Sequence, residues 1–265
     1  MKHLISEIKT LAELGFKEVV SIRRHIHKHP ELSFKEFQTS AFICSVLDTY
    51  NIAYQKNIVG TGIVAIIEGL NPSEKTILLR ADLDALPIVE ENKTDYTSVN
   101  EGIMHACGHD VHSASVLGTI IILTKLKNKF SGTVKIMFQP GEEVLPGGAS
   151  LMIDAGVLNN PSVECAIAQH VFPSMPVGKV GFKCGMYMAS TDEIHITIHG
   201  KGGHAAMPNE YINPLNAAAA IIQTIEKEYL CKWDGKSEFT LSVDSLDRKT
   251  QKTLRSLGVQ RIEIS

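Results

Sequence analysis

The sequence has no apolar run of membrane-spanning length and, between Met1 and Phe16, no continuous apolar core of the kind that marks a secretory leader. Neither a membrane span nor export is expected. It also lacks an excess of charge: 26 Lys and Arg stand against 29 Asp and Glu, a net of -3, with both signs scattered along the chain. Without a basic face, neither nucleic acid nor an anionic membrane is an expected partner. Cysteine is sparse. Cys44, Cys107, Cys165, Cys184 and Cys231 are five, an odd number without a short-spaced framework, which argues against a disulfide scaffold and for a reducing, cytoplasmic compartment. No internal repeat or low-complexity segment is present, and the glycines from Gly200 to Gly203 have neither P-loop nor dinucleotide-binding spacing. What is there is a chain of 265 residues, 44% of them hydrophobic, enough for one large or two ordinary domains with a real core.

The chemistry concentrates in Met104 to His112, where His105, Cys107, His109, Asp110 and His112 fall within nine residues. Cys107 and His109 can face one point if Gly108 turns the backbone sharply between them, and zinc and similar divalent ions take that pair of ligands. The competing reading is a buried cysteine beside helix-capping polar residues. His25, His27 and His29 also invite a metal reading. On a helix, however, positions i and i+2 diverge by about 200°, so only His25 and His29 share a face, and a ligand role is disfavoured there.

Apolar periodicity predicts helices over Leu4 to Arg24, ending near Pro30, over Glu36 to Leu47, Ser113 to Lys127, Gly148 to Ala155 and Pro214 to Ile225. Strands are expected over Gly62 to Glu68, Thr76 to Arg80, Thr133 to Gln139, Cys165 to His170 and Ile194 to Ile198, with a turn at Asn71-Pro72-Ser73. Their alternation is the logic of an α/β fold with a sheet covered on both faces. Strand ends carry the polar chemistry: Asp82 and Asp84 after the second strand, Glu142 and Glu143 after the third, Gln169 and His170 after the fourth. Such ends are where open α/β sheets bind ligands. Taken singly, the aspartates also read as a turn or helix cap, and the glutamates as a solvated helix start. Together with Cys107 and His109 they point to a metal site. Near the other end of the chain, a loop of three glycines presents His204, as a residue delivered to a ligand would be presented. His195 reads as a solvent-facing strand residue.

Met-His-Ala-Cys-Gly-His-Asp at 104–110, Phe-Gln-Pro-Gly-Glu-Glu at 138–143, Gln-His at 169–170 and Gly-Lys-Gly-Gly-His-Ala-Ala-Met-Pro at 200–208 together resemble the M20 family of metallopeptidases, in its amidohydrolase branch. That branch includes N-acyl-amino-acid amidohydrolases, hippurate hydrolases and indole-acetyl-amino-acid hydrolases. The resemblance implies an α/β mixed-sheet catalytic domain, placed at 1–188, and a smaller α+β lid and dimerisation domain, placed at 189–265. It implies two divalent ions (zinc, manganese, cobalt or nickel) on Cys107, His109, Glu143 and His170. Glu142 falls at the position of the general base, Asp84 at that of the carboxylate supporting a ligand, and His204 at that of a lid histidine that reaches the neighbouring subunit's site. The implied reaction is hydrolysis of the amide bond of N-acyl amino acids or small peptides, by a homodimer.

Two departures from the family pattern stand out. Where many relatives carry His-x-Asp-x-x-Pro, this chain has Asp82-Leu83-Asp84-Ala85-Leu86-Pro87, so that histidine ligand is absent. The family also closes its site with a later histidine, and here none follows His204. A C-terminally truncated chain is therefore expected, and the alternative to the enzyme is a non-catalytic metal-binding or dimerising homologue.

Overall fold

The computed structural model describes residues 2–185, 195–201, 204, 206–207, 209–225, 227–228, 246–247 and 261–264. The chain divides into two compact units, Met1–Pro176 and Val177–Ser265.

The first unit is built on a five-stranded mixed sheet in the order β1-β2-β4-β3-β5. Its strands are β1 (Ala53–Ile58), β2 (Gly62–Glu68), β3 (Thr76–Asp82), β4 (Thr133–Gln139) and β5 (Cys165–Ala168). β2 runs antiparallel to both β1 and β4, whereas β4, β3 and β5 are mutually parallel along the series. Helices α1 (Lys2–Lys28), α2 (Phe37–Thr49) and α3 (His109–Lys125) join it, as does the short α4 (Gly148–Asp154).

Period-two alternation sends the strand residues to two cores. Ile63, Ala65 and Ile67 of β2 and Val134, Ile136 and Phe138 of β4 pack with Ile22, Ile26, Ile43, Leu47, Leu117 and Ile120 of the three long helices. On the other face Val64, Leu78 and Met137 meet Met152 of α4 and Val157. The inner strands β2, β4 and β3 are thus covered on both faces, as their apolar sequences predicted, whereas β5, expected to be an apolar strand, is exposed at the sheet edge. Lys135 is the exception in β4. It is 2% exposed, and its ammonium donates to the carbonyls of Val157, Asn159 and Pro161 at 2.9, 2.7 and 2.9 Å, which offsets the cost of burying the charge.

Element boundaries differ from the sequence reading in instructive ways. β1 was not expected, because Ala-Tyr-Gln-Lys-Asn-Ile carries no apolar run; it lies at the sheet edge with most residues exposed. α3 begins at His109, four residues before the expected Ser113, because Gly108 caps it at φ 94° in the left-handed region. β3 continues through Asp82, paired with Gln139, and β5 stops at Ala168, two residues short of His170.

The long connection from Leu83 to Gly108 has no helix and is pinned to α1. The Val99 N–H donates to the Lys28 carbonyl at 2.9 Å and the Asn100 amide to that of Pro30 at 2.9 Å. His27, 3% exposed, bridges the two by placing Nδ1 2.8 Å from Asp110 Oδ2 and Nε2 3.0 Å from Glu90 Oε1. The Arg23 guanidinium shares the same Asp110 oxygen at 2.7 Å. Of the three clustered histidines, His27 is therefore engaged in a structural polar network, and His25 stacks on Phe42 with centroids 3.9 Å apart.

In the second unit, β6 (His195–Ile198), β8 (Arg261–Ile264) and β7 (Leu246–Asp247) form a parallel sheet in the order β6-β8-β7. Helix α5 (Pro214–Ile225) buries Ala218 against Ile196 and Ile198 of β6 and its own Ile221 and Ile222. The side chain of His195 and the whole of Cys231 lie outside the described residues. Among those described, no helix is long and apolar enough to cross a membrane.

The His27 bridge makes stability depend on pH. Its hydrogen bond to Asp110 raises the imidazole pKa above 6.5; burial and Arg23 oppose this, and the bond to Glu90 adds to it. A raised folded-state value means that the contribution is fully present below the unfolded value of about 6.5 and is lost as pH rises through the folded value. Denaturant unfolding across that range should show stability falling with rising pH, and His27→Gln should flatten the slope. An equal slope in the variant would remove His27 as its source.

Candidate metal centre

Because β3, β4 and β5 are parallel, their C-terminal ends open on one edge, and the N-terminus of α3 arrives there too. The Leu83 N–H donates to the Gln139 carbonyl at 3.0 Å and closes the end of β3 onto β4. Asp84, Glu142, Glu143 and His170 leave the strand ends, and Cys107 and His109 flank Gly108. A Cβ at Gly108 would lie 2.4 Å from the Val171 side chain, so that turn requires glycine both for its φ and for its closeness to the β5 exit.

His109 is the centre of the arrangement. Its side chain is wholly buried, and Nδ1 lies 2.9 Å from the Asp84 carbonyl oxygen and 3.1 Å from Asp84 Oδ1. Nε2 is buried without a hydrogen-bond partner and faces Asp82 Oδ2 and Glu143 Oε1 at 3.7 Å each and Glu142 Oε2 at 3.9 Å. An imidazole held at Nδ1 by a carboxylate and a carbonyl presents Nε2 as a ligand. Burial lowers the His109 pKa, but the hydrogen bond to Asp84, the nearby Cys107 sulfur and the charge of Asp82 overcome it and push it up to about 11. This point in the fold attracts positive charge.

Around Nε2 the structure assembles three overlapping sets whose ligand atoms lie within 4.8 Å of one another: Cys107, His109 and His170; His109, Glu142 and Glu143; and Asp82, His109 and His112. His170 places Nε2 3.3 Å from Cys107 Sγ, while its Nδ1 donates to the Val171 carbonyl at 2.7 Å. Both His109 and His170 thus have Nδ1 tied down and Nε2 directed at the cluster. Thiolate, imidazole and carboxylate are the donor types that divalent transition metals select, and together with the unpartnered Nε2 of His109 they fit such an ion.

Glu142 and Glu143 differ despite being neighbours. The Glu143 side chain is 19% exposed and that of Glu142 39%. The Glu143 N–H donates to Asp84 Oδ2 at 2.9 Å, so the carboxylate that holds His109 also holds the Glu143 backbone. Burial pushes the Glu143 carboxyl upward against the charge of His109.

Two residues of the site had no assigned role in the sequence reading. His112 makes a 2.6 Å contact from Nδ1 to Asp82 Oδ1, accepts the Val171 N–H at Nε2 at 3.0 Å, and sets its ring against His170 with centroids 4.5 Å apart. With both nitrogens engaged, His112 supports the His170 turn. Asp82 stands where many relatives carry the histidine ligand. It pairs with Arg80 at 2.8 Å, and although burial opposes it, the His112 hydrogen bond and the nearby cations hold its carboxyl down to about 2. The i, i+3 spacing of His109 and His112 on one helix was the available signal, hidden while α3 was expected to start after both.

All the site residues expected in the first unit, Asp84, Cys107, His109, Glu142, Glu143 and His170, meet at this edge. His204 belongs to the second unit, where it is exposed and its Nδ1 accepts the Ala206 N–H at 3.1 Å.

The sequence profile of peptidase family M20/M25/M40 matches residues 78–245. The chain is 38% identical over 226 residues to an N-acyl-L-amino acid amidohydrolase of Geobacillus stearothermophilus, covering 85% of this chain and 58% of that protein. It is 42% identical over 209 residues to an N-acetylcysteine deacetylase of Bacillus subtilis, covering 78% and 54%. Among solved structures it resembles the YXEP protein of Bacillus subtilis, described as a dinuclear metal binding peptidase of the M20 family, with a TM-score of 0.63, 34% identity and coverage of 81% and 57%. The chain thus spans little more than half the length of these relatives.

Supporting carboxylates of this kind tune metal affinity. Asp84→Asn should weaken zinc binding by about 10- to 100-fold in equilibrium dialysis. Unchanged affinity would take Asp84 out of the site.

Proposed function

Because the chain belongs to peptidase family M20/M25/M40, we propose that its first unit carries the metal-binding face of an amidohydrolase that cleaves the amide bond of N-acyl amino acids or small peptides. The observation that carries this reading is the buried Nε2 of His109, fixed through Nδ1 by Asp84 and close both to Cys107 and His170 and to Glu142 and Glu143. Kinship with an N-acyl-L-amino acid amidohydrolase and an N-acetylcysteine deacetylase supports the substrate class.

In this reading Cys107, His109, Glu143 and His170 hold two divalent ions, of zinc, manganese, cobalt or nickel. When bound, such ions supply Lewis acidity, lowering the pKa of a water and polarising an amide carbonyl. The residues do the rest. Glu142, the more exposed of the two glutamates and next to the ligand Glu143, accepts the proton of the attacking water and returns it to the leaving nitrogen, so that water and amide become carboxylate and amine. Glu143 stays anionic as a ligand, since a carboxylate facing a dication is strongly favoured in its charged form. Asp84 keeps the His109 ring turned and the Glu143 backbone placed, and the His112–Asp82 pair steadies the turn that presents His170.

The domain assignment completes the proposal: a catalytic domain at 1–188 and a lid and dimerisation domain at 189–265, in a cytoplasmic homodimer. There His204, on a glycine-rich loop, donates a hydrogen bond to the oxyanion in a neighbouring subunit's site.

Glu142→Ala separates the roles of the two glutamates. It should keep its metal by elemental analysis and lose about 10²- to 10⁴-fold in turnover of an N-acetyl amino acid, measured on the same sample. Loss of metal together with activity would move Glu142 into the ligand set and overturn its assignment as base.

A further inference from the structure

Glu36 is a buried carboxylate that the proposed reaction does not use. It is 0% exposed, and among the described residues no cationic side chain forms an ion pair with it. Burial of an unpaired carboxylate is costly unless hydrogen bonds offset it, so its donors show what it is for. Oε1 accepts the N–H of Phe34 at 2.9 Å and the N–H of Gly141 at 2.8 Å, and Oε2 accepts the Thr61 hydroxyl at 2.6 Å. Gly141 immediately precedes Glu142. On the other side of Glu142, the Glu143 N–H is held at 2.9 Å by Asp84 Oδ2.

The backbone of Glu142 is thus gripped from both sides by carboxylates, one from each of two distant parts of the chain. The grip extends further. Gly141 sits at φ 55° and Phe34 at φ 60°, both left-handed, and a Cβ on Gly141 would lie 2.4 Å from the Phe34 ring. A single oxygen of Glu36 therefore satisfies the amides of two residues that pack face to face in an uncommon backbone conformation. The Gly141 carbonyl accepts the Gly148 N–H at 3.0 Å, which ties the loop to the start of α4. None of these bonds touches a side chain of the metal cluster.

We propose that Glu36 is a positioning residue for Glu142: by holding the Gly141 amide while Asp84 holds that of Glu143, it fixes where the base stands relative to His109 and the metal ligands. The catalytic half of this inference rests on the amidohydrolase reading. The structural half does not. Glu36→Gln preserves the grip, because its amide oxygen at the Oε1 position accepts both N–H groups and its NH₂ donates to Thr61 Oγ1. Glu36→Ala removes both acceptor oxygens and with them all three hydrogen bonds, and Glu36→Asp, one methylene shorter, withdraws the carboxylate from Gly141.

The test is hydrogen exchange at the Gly141 amide in the full chain, followed by NMR, with zinc content measured alongside. In Glu36→Ala, or in Glu36→Asp should the alanine variant not fold, exchange at Gly141 should accelerate by about 10- to 100-fold relative to amides of β4, the factor expected for losing a hydrogen bond to a charged group. Zinc content should stay at the wild-type value, and Glu36→Gln should restore slow exchange. With an N-acetyl amino acid as substrate, kcat should fall by about 10- to 100-fold in the same variants while KM changes little, as for a displaced catalytic group, and should recover in Glu36→Gln. Exchange at Gly141 that is unchanged, or that accelerates only in step with β4, would overturn the proposal, as would a glutamine variant as impaired as alanine. A wild-type chain that binds zinc and hydrolyses nothing would defeat the amidohydrolase reading and leave the exchange result to decide the role of Glu36.

Discussion

The bond between His109 and Asp84 is the constraint on which the rest of the first unit turns. A wholly buried imidazole has to find partners for two nitrogens, and here one nitrogen takes two oxygens of Asp84 while the other is left facing a thiol, an imidazole and carboxylates. The same aspartate accepts the Ser33 hydroxyl at 2.7 Å and the Glu143 N–H at 2.9 Å, so one side chain aligns α3, the β4 exit and the segment after α1. Moving Asp84 would disturb every set of ligand atoms at once, because His109 belongs to all of them. The local order of the site therefore depends less on the strength of any one contact than on sharing partners, which is how buried polar networks specify a single arrangement.

Sharing of partners also explains how a 26-residue connection without helices is held beside the site. Its ends are the two halves of the chemistry: Asp84 near its start and Cys107 near its end. Between them, Leu86 and Met104 exchange backbone hydrogen bonds at 3.0 Å, which brings those ends together. Its middle is tied to α1 through Glu90, His27 and Asp110, and Asp110 follows His109 in the first turn of α3. The first helix, remote in sequence from every expected ligand, thereby takes part in fixing the helix that carries one.

Much of this was legible in the sequence, and the failures share a cause. The long helices were readable from their one-sided apolar pattern, and strands β2 and β4 because both of their faces are covered, so that their residues are mostly hydrophobic. Glu142, Glu143 and His170 stood out as polar chemistry at strand ends, and Cys107 and His109 as a ligand pair about one glycine, and the structure does bring them together. What escaped was whatever depends on partners far away in the chain. β1 is polar because it is an edge. The early start of α3 follows from the left-handed Gly108 and its closeness to Val171, a pairing 63 residues apart that no local pattern encodes. Glu36 and His112 looked like an ordinary helix start and one more histidine, since only the tertiary fold gives them the amides of Gly141 and Val171.

The two adjacent glutamates show why such clamps matter. Neighbouring carboxylates in one loop repel each other when both are charged, and here the repulsion is uneven: Glu143 is the more buried, and both burial and the charge of Glu142 push its carboxyl upward, while His109 pulls it down. A cation at the Nε2 face of His109 would relieve the repulsion between the two glutamates, and Glu142 keeps the greater access to water. The difference in exposure suits the proposed division of roles, one carboxylate placed to bind charge and the other to exchange protons. Carboxylates gripping the amides on either side of Glu142, one before and one after, are the simplest means by which this chain keeps them distinct.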